Sequence, residues 1–328
     1  MTDEHHSHTG RRSVLIVHGR GFKPQASELL ELSVDAMRYG LQRDYPDCAK
    51  AFDMLEKELV YYGDLSGELL SAQGRRYDAA LDLGDRRNAL RALQEIPERK
   101  RFDIRRYDRL PGKSAFKEGV ASSVYPLAAM LGLSMPIVRA VSRDFGEYLR
   151  GGEYAEAVRS RMIGALAALL ERGDRVMLVA HGTGSAIAWD ALWALSHDDD
   201  LGQRVQDCKV DVFVTLGSPL GDRHIRKRLY GAREPAESRF PTNVISWHNV
   251  SAEDDYTCHD NTLADDFRQM MSNHIVSAVK DYKICNHAVR YGCSNPHSSV
   301  GYYIHPRMAK ILSDWIGPPP EPPARDTD

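Results

Sequence analysis

The residues from Val176 to Trp189 read VMLVAHGTGSAIAW: an apolar run, a turn of small residues, then a second apolar run. Val176 to Ala180 has the length and composition of a buried strand, and Ser185 to Leu195 that of a helix packed back on it. Between them, Ala180-His181-Gly182-Thr183-Gly184 must reverse the chain sharply. Such a turn holds its apex residue out at the head of a sheet, where a nucleophile can be reached. The chemistry that uses it is acyl transfer. That chemistry needs a hydroxyl or thiol at the apex, a base within hydrogen-bond reach, an acid to orient the base, and N–H groups facing the oxyanion. The apex here is Gly182, which has no side chain to attack with. Ser185 and Thr183 are the nearby hydroxyls, but either would need the turn shifted in register.

Metal chemistry is the other possibility the residue types raise. Cys285, His287, Cys293 and His297 fall within a short span. No C-x2-C or H-x3-H pair is among them, so neither a metal nor another cofactor is expected. Pro111-Gly112-Lys113-Ser114 matches the end of a phosphate-binding loop. The earlier glycine is replaced by Tyr107 and no strand precedes it, which rejects the motif.

The elements that must carry this turn alternate along the chain. Ser13 to Val17 is a short β-forming run ending at His18-Gly19-Arg20-Gly21. Pro24 to Gly40 follows with apolar residues at helical spacing, and Leu59 to Tyr62 supplies the next strand. Glu153 to Arg172 is a helix ended by Gly173. Val210 to Leu216 and Val244 to His248 are further strands, and Lys283 to Cys285 falls in a last one. Ser299 to Ile316 closes the chain as one helix. This alternation predicts an α/β fold with a mostly parallel sheet flanked by helices.

Asp64 to Arg150 interrupts the pattern and is longer than an ordinary connection. Gln73 to Lys117 interleaves Arg and Lys with Asp and Glu, which reads as solvated helices rather than a nucleic-acid face. Gly119 to Val138 is apolar and uncharged over about the length of a membrane span. Pro126 and Pro136 argue against a straight spanning helix, and its position favours a cap over a site, able to touch a membrane or a hydrocarbon portion of a substrate. The expected organisation is therefore a disordered start (1–12), a core made of 13–63 and 151–316, a helical cap or lid insertion (64–150), and a disordered tail rich in proline and charge (317–328).

With 328 residues, 42% of them hydrophobic, the chain can bury a sizeable core. A formal net charge of −3 gives no overall attraction to nucleic acid. The cysteines, odd in number and scattered, suit a reducing compartment, and no signal-peptide pattern opens the chain; a cytoplasmic location is expected. Composition does not set the oligomeric state.

Taken together, HGRG after the first strand, the small-residue turn with its helix, Thr215-Leu216-Gly217-Ser218-Pro219, an acidic loop at Glu253-Asp254-Asp255 and Asn295-Pro296-His297-Ser298 before the final helix follow one another in an order that resembles the α/β-hydrolase superfamily, and more loosely its lipase and esterase branches. The resemblance implies that position 182 is the nucleophile position, that His297 is the base and that Asp255 is its orienting acid, with Asp254 and Asp222 as rivals. It implies backbone oxyanion donors at Thr183 and Arg20, with Gly19, Gly21 and His181 near bound substrate, although the turn should aim the His181 ring away from the reacting atoms. The partner implied is a small-molecule or lipid-like acyl substrate: an ester, a thioester or a related compound. Gly182 departs from the family. It marks an inactivated hydrolase whose active form carries Ser there, a natural ligand-binding or receptor-like relative, or a site where His297 activates water.

Overall fold

Near-continuous Val, Ile and Leu runs make strands that must be covered on both faces, and this dictates the architecture. The computed structural model describes residues 10–112, 142–205, 208–258 and 262–317. Strands β1 (Arg12–Val17), β2 (Glu56–Val60), β3 (Arg175–His181), β4 (Val210–Leu216), β5 (Val244–Ala252) and β6 (Ala278–Ile284) form one sheet. Their order is β2-β1-β3-β4-β5-β6, with every neighbouring pair parallel. Helices α1 (Ala26–Asp44), α2 (Pro46–Met54), α3 (Gly63–Ala72), α4 (Ala79–Gln94), α5 (Glu153–Glu171), α6 (Gly184–His197), α7 (Ser299–Tyr303) and α8 (Pro306–Ile316) flank it, with shorter turns between.

Alternation along each strand divides the core into two layers. Leu15 and Val17 of β1 pack with Val158 and Leu166 of α5 and Ala188 and Leu192 of α6. Val14 and Ile16 point the other way, to Leu32 and Met37 of α1 and Met308 and Leu312 of α8. Because β2 lies on one side of β1 and β3 on the other, successive crossovers diverge at the carboxyl ends of β1 and β3. That divergence opens a crevice, the place where open parallel sheets bind ligands.

Several expectations shift. The first edge strand is Glu56–Val60 rather than Leu59 to Tyr62, and the last is Ala278–Ile284 rather than a run around Lys283. Both are sheet edges whose half-buried or exposed Glu, Lys and Asp disguise the apolar alternation. The closing helix is broken: α7 ends at Tyr303, and His305 (φ −65°, ψ 142°) leaves the helical region before Pro306 opens α8. Proline lacks an N–H and disfavours helical geometry in the residue before it.

The described part of the Gln73 to Lys117 segment is not a wholly solvated face. In α4, Leu83, Leu90 and Leu93 lie on one side and join the layer that contains α1. The intervening charges pair: Arg86 Nε donates to Asp82 Oδ2 at 2.8 Å, and Arg290 holds both Asp82 and Asp85. Arg290 belongs to a hairpin, β7 (Val289–Arg290) with β8 (Cys293–Ser294), whose turn residues Tyr291 and Gly292 have φ of 50° and 74°. Paired positive φ values suit the twist of a two-residue hairpin turn. The apolar stretch Gly119–Val138 lies outside the described residues. Among the described residues no helix is long and apolar enough to cross a membrane, and all five cysteines are free thiols.

Candidate active site

Gly182 directly follows β3 with φ +54°, a backbone conformation that favours glycine, and its N–H donates to the Leu216 carbonyl at 2.8 Å. Thr183 is the first residue of the next turn and occupies the N-cap position of α6, with no side-chain capping bond. A Cβ placed on Gly182 would lie 2.9 Å from His297 Nε2 and 3.0 Å from Cε1. On the far side of that ring, His297 Nδ1 lies 2.9 Å from Asp255 Oδ2 and 3.1 Å from Oδ1. Position 182, the imidazole and the carboxylate therefore stand in line.

Protonation follows from the surroundings. Burial pushes the Asp255 carboxyl up, but His297, the Tyr302 hydroxyl and the Thr257 N–H together outweigh it and hold the group at about 2. An ionised carboxylate only accepts hydrogen bonds, so His297 Nδ1 carries a proton. In the neutral imidazole the Nε2 lone pair then faces position 182, poised to take a proton from whatever stands there.

Neighbouring residues fix this pair. Tyr302, fully buried on α7, donates to Asp255 Oδ2 at 2.6 Å and accepts from the Ala252 N–H at 2.9 Å. Asn286 Nδ2 donates to the carbonyls of Pro296 and Ser298 at 2.8 and 2.9 Å. Gly217, at the end of β4 with φ +57°, leaves the space the pair occupies: a Cβ there would lie 2.6 Å from Asp255 Oδ2 and 3.0 Å from His297 Nδ1.

The other histidines of the site are structural. His18 Nε2 accepts from the Tyr62 N–H at 3.1 Å, so its proton sits on Nδ1, which donates to the Gly19 carbonyl at 2.8 Å. Burial, followed by the charge of Lys23, pushes His18 down to about 3. His181 does not point away from His297. Its ring lies against that of His297, centroids 4.6 Å apart, and its Nε2 donates to the His297 carbonyl at 3.0 Å. Burial, and then the His297 charge, lowers its basicity strongly, as a neutral donor requires.

Of the three acids, only Asp255 meets His297. Asp254, at φ 59°, accepts from the Tyr107 hydroxyl at 3.1 Å. Asp222 caps the short helix Arg223–Arg226, accepting from the His224 and Ile225 N–H groups at 2.6 and 3.3 Å. Cys285 and His287 do not converge with Cys293 and His297: His287 bonds the carbonyls of Cys285 and Asp103. Among the described residues no group of three or more His, Cys, Asp or Glu side chains is placed to hold a metal ion.

A cavity of about 160 Å³ opens beside His297. Gly19, Arg20 and His181 line it; Gly21 does not, and its N–H donates to Asp144 Oδ2 at 2.6 Å. Lys23, Arg86 and Arg290 line it too, so the described walls are cationic. Tyr302, Asn286, Lys23, Arg86 and Arg290 escape sequence reasoning. The only signals available were the closeness of Lys23 to HGRG and of Tyr302 to His297.

Compared with known protein families, curated proteins and solved structures, the chain matches none.

Proposed function

We propose that this crevice is the acyl-transfer site of an α/β-hydrolase-type enzyme acting on an ester, thioester or related acyl bond, and that Gly182 leaves the present chain without its nucleophile. The observation that carries this reading is the approach of a Cβ at position 182 to His297 Nε2, 2.9 Å, on the side of the ring opposite Asp255. A serine there would pass its proton to Nε2 as its oxygen attacks the carbonyl carbon. The oxyanion would face the backbone N–H groups of Thr183, with the dipole of α6 behind it, and of Arg20. Imidazolium would then return the proton to the leaving alcohol or thiol, and water would repeat the sequence on the acyl-enzyme.

With glycine in place the first step has no attacking atom, and the site binds its ligand intact. Gly182 itself favours the second reading, a hydrolase fold that recognises a ligand without turning it over. Gly182→Ser separates the two. Labelling of the variant by a serine-reactive phosphonate, with hydrolysis across a panel of acyl esters, is the expected result. A folded Gly182→Ser protein inert to both overturns the hydrolase reading and leaves binding.

A further inference from the structure

The cavity beside His297 contains an unusual concentration of positive charge. Arg20, Lys23, Arg86 and Arg290 all contribute to its wall, and among the described residues no Asp or Glu does. The nearby carboxylates bond to the wall residues or to the loop beside them. Asp82 is held by Arg86 Nε at 2.8 Å and by Arg290 at 2.7 Å, Asp85 is held by Arg290, and Asp144 accepts from the Gly21 N–H. Asp82 and Asp85 orient the Arg86 and Arg290 guanidinium groups and offset part of the charge of the wall. Lys23 is folded back under the HGRG loop, its ammonium donating to the carbonyls of Arg20, Gly21 and Phe22. Burial and the opposing Arg86 guanidinium push Lys23 down to about 7. Cations crowded in a half-buried space raise one another's energy, and an anion seated among them relieves it.

We infer that this cavity binds an anionic group, a carboxylate or a phosphate, carried by the same molecule whose acyl bond lies over Gly182. The inference rests on the acyl-transfer reading for the position of the scissile bond and narrows the substrate to short acyl compounds bearing a negative charge. The dimensions agree. A space of about 160 Å³ takes an oxyanion group and a few further heavy atoms, not a long hydrocarbon chain. The chemistry agrees too: guanidinium groups present paired N–H donors that match the oxygens of carboxylate and phosphate.

The present chain suits a direct test, because Gly182 allows an ester to be bound without being cleaved. Calorimetric titration with monomethyl glutarate, with the neutral dimethyl glutarate and with inorganic phosphate covers the chemistry. The monoester is expected to bind at least about tenfold more tightly than the diester, and phosphate is expected to compete with it. Which of the two anions binds more tightly identifies the group recognised. Lys23→Met keeps an unbranched side chain, one atom shorter, and removes its charge. It should weaken monoester or phosphate binding about tenfold or more and leave the diester unaffected; Arg20→Gln should act in the same sense. Equal affinity for monoester and diester, no binding of either anion, or unaltered anion binding in both folded variants overturns the inference. Anion binding by the present chain alongside a Gly182→Ser variant that hydrolyses nothing would instead retain the anion site and remove the acyl-transfer reading.

Discussion

The Tyr302 hydroxyl lies 2.6 Å from Asp255 Oδ2, the oxygen that also receives His297 Nδ1 at 2.9 Å. The carboxylate thus has a fixed orientation set from α7, independent of the histidine it orients. Tyr302→Phe removes this donor and also strands the Ala252 N–H, which bonds the same hydroxyl. A loss of about 1–3 kcal/mol in urea unfolding is expected. In a Gly182→Ser background the pH–rate profile should also move, because Asp255 loses a bond to its charged form; a purely structural role would leave the profile unchanged.

Gly182 and Gly217 both sit at positive φ beside His297, yet substitution should affect them differently. At 182 a new Cβ meets the edge of a ring that can retreat by a few tenths of an ångström. Gly182→Ser should cost about 1–3 kcal/mol of stability, mostly backbone strain. At 217 the Cβ would fall 2.6 Å from Asp255 Oδ2 inside the hydrogen-bonded pair. Gly217→Ala should cost more and should abolish any activity restored by Gly182→Ser. Equal stability losses in thermal and urea denaturation, with activity retained, would contradict this difference.

Stability should fall in acid in two windows. His18 has a folded value of about 3 against an ordinary value of 6.5, so the unfolded chain takes up the proton first and stability declines as the pH falls from about 6.5 toward 3. Asp255, at about 2 folded against 3.8, contributes stability that is present above 3.8 and lost as the pH falls through about 2. Urea midpoints measured from pH 7 to pH 2 should drop throughout, and Asp255→Asn should flatten only the lower part of the curve.

Anion affinity should depend on pH in the opposite sense. Lys23, facing Arg86 and Arg20 with Asp144 and Asp82 nearby, is protonated below about 7. Binding of monomethyl glutarate should be strongest below that value and weaken as the pH rises through it toward 9. Lys23→Met should remove that dependence, so a titration series with the same slope in both proteins would exclude Lys23 as its source.

The sequence was most informative where the structural requirement is local. Val210–Leu216, VDVFVTL, is mostly apolar in the sequence and almost wholly buried in the fold, because both faces of a central parallel strand are covered. The Gly182 turn was legible for a similar reason: small residues at fixed spacing are a local steric requirement. The edge strands β2 and β6 were blurred because solvent accepts charge on them. Leu83, Leu90 and Leu93 of α4 were masked by interleaved charges whose partners, above all Arg290, lie about two hundred residues away.

By itself, then, the chain determined an alternating α/β order, a sharp turn at Gly182 and a short list of acids and a histidine compatible with acyl chemistry. Tertiary structure decided which of Asp222, Asp254 and Asp255 meets His297. It also placed Tyr302 and Asn286 around that pair and gathered Arg20, Lys23, Arg86 and Arg290 into one wall. The division has a physical basis. Strands, turns and helix faces are written in steric and apolar patterns a few residues long. A charge site is assembled from loops at the ends of separate strands, and no local pattern records which loops the sheet will bring together.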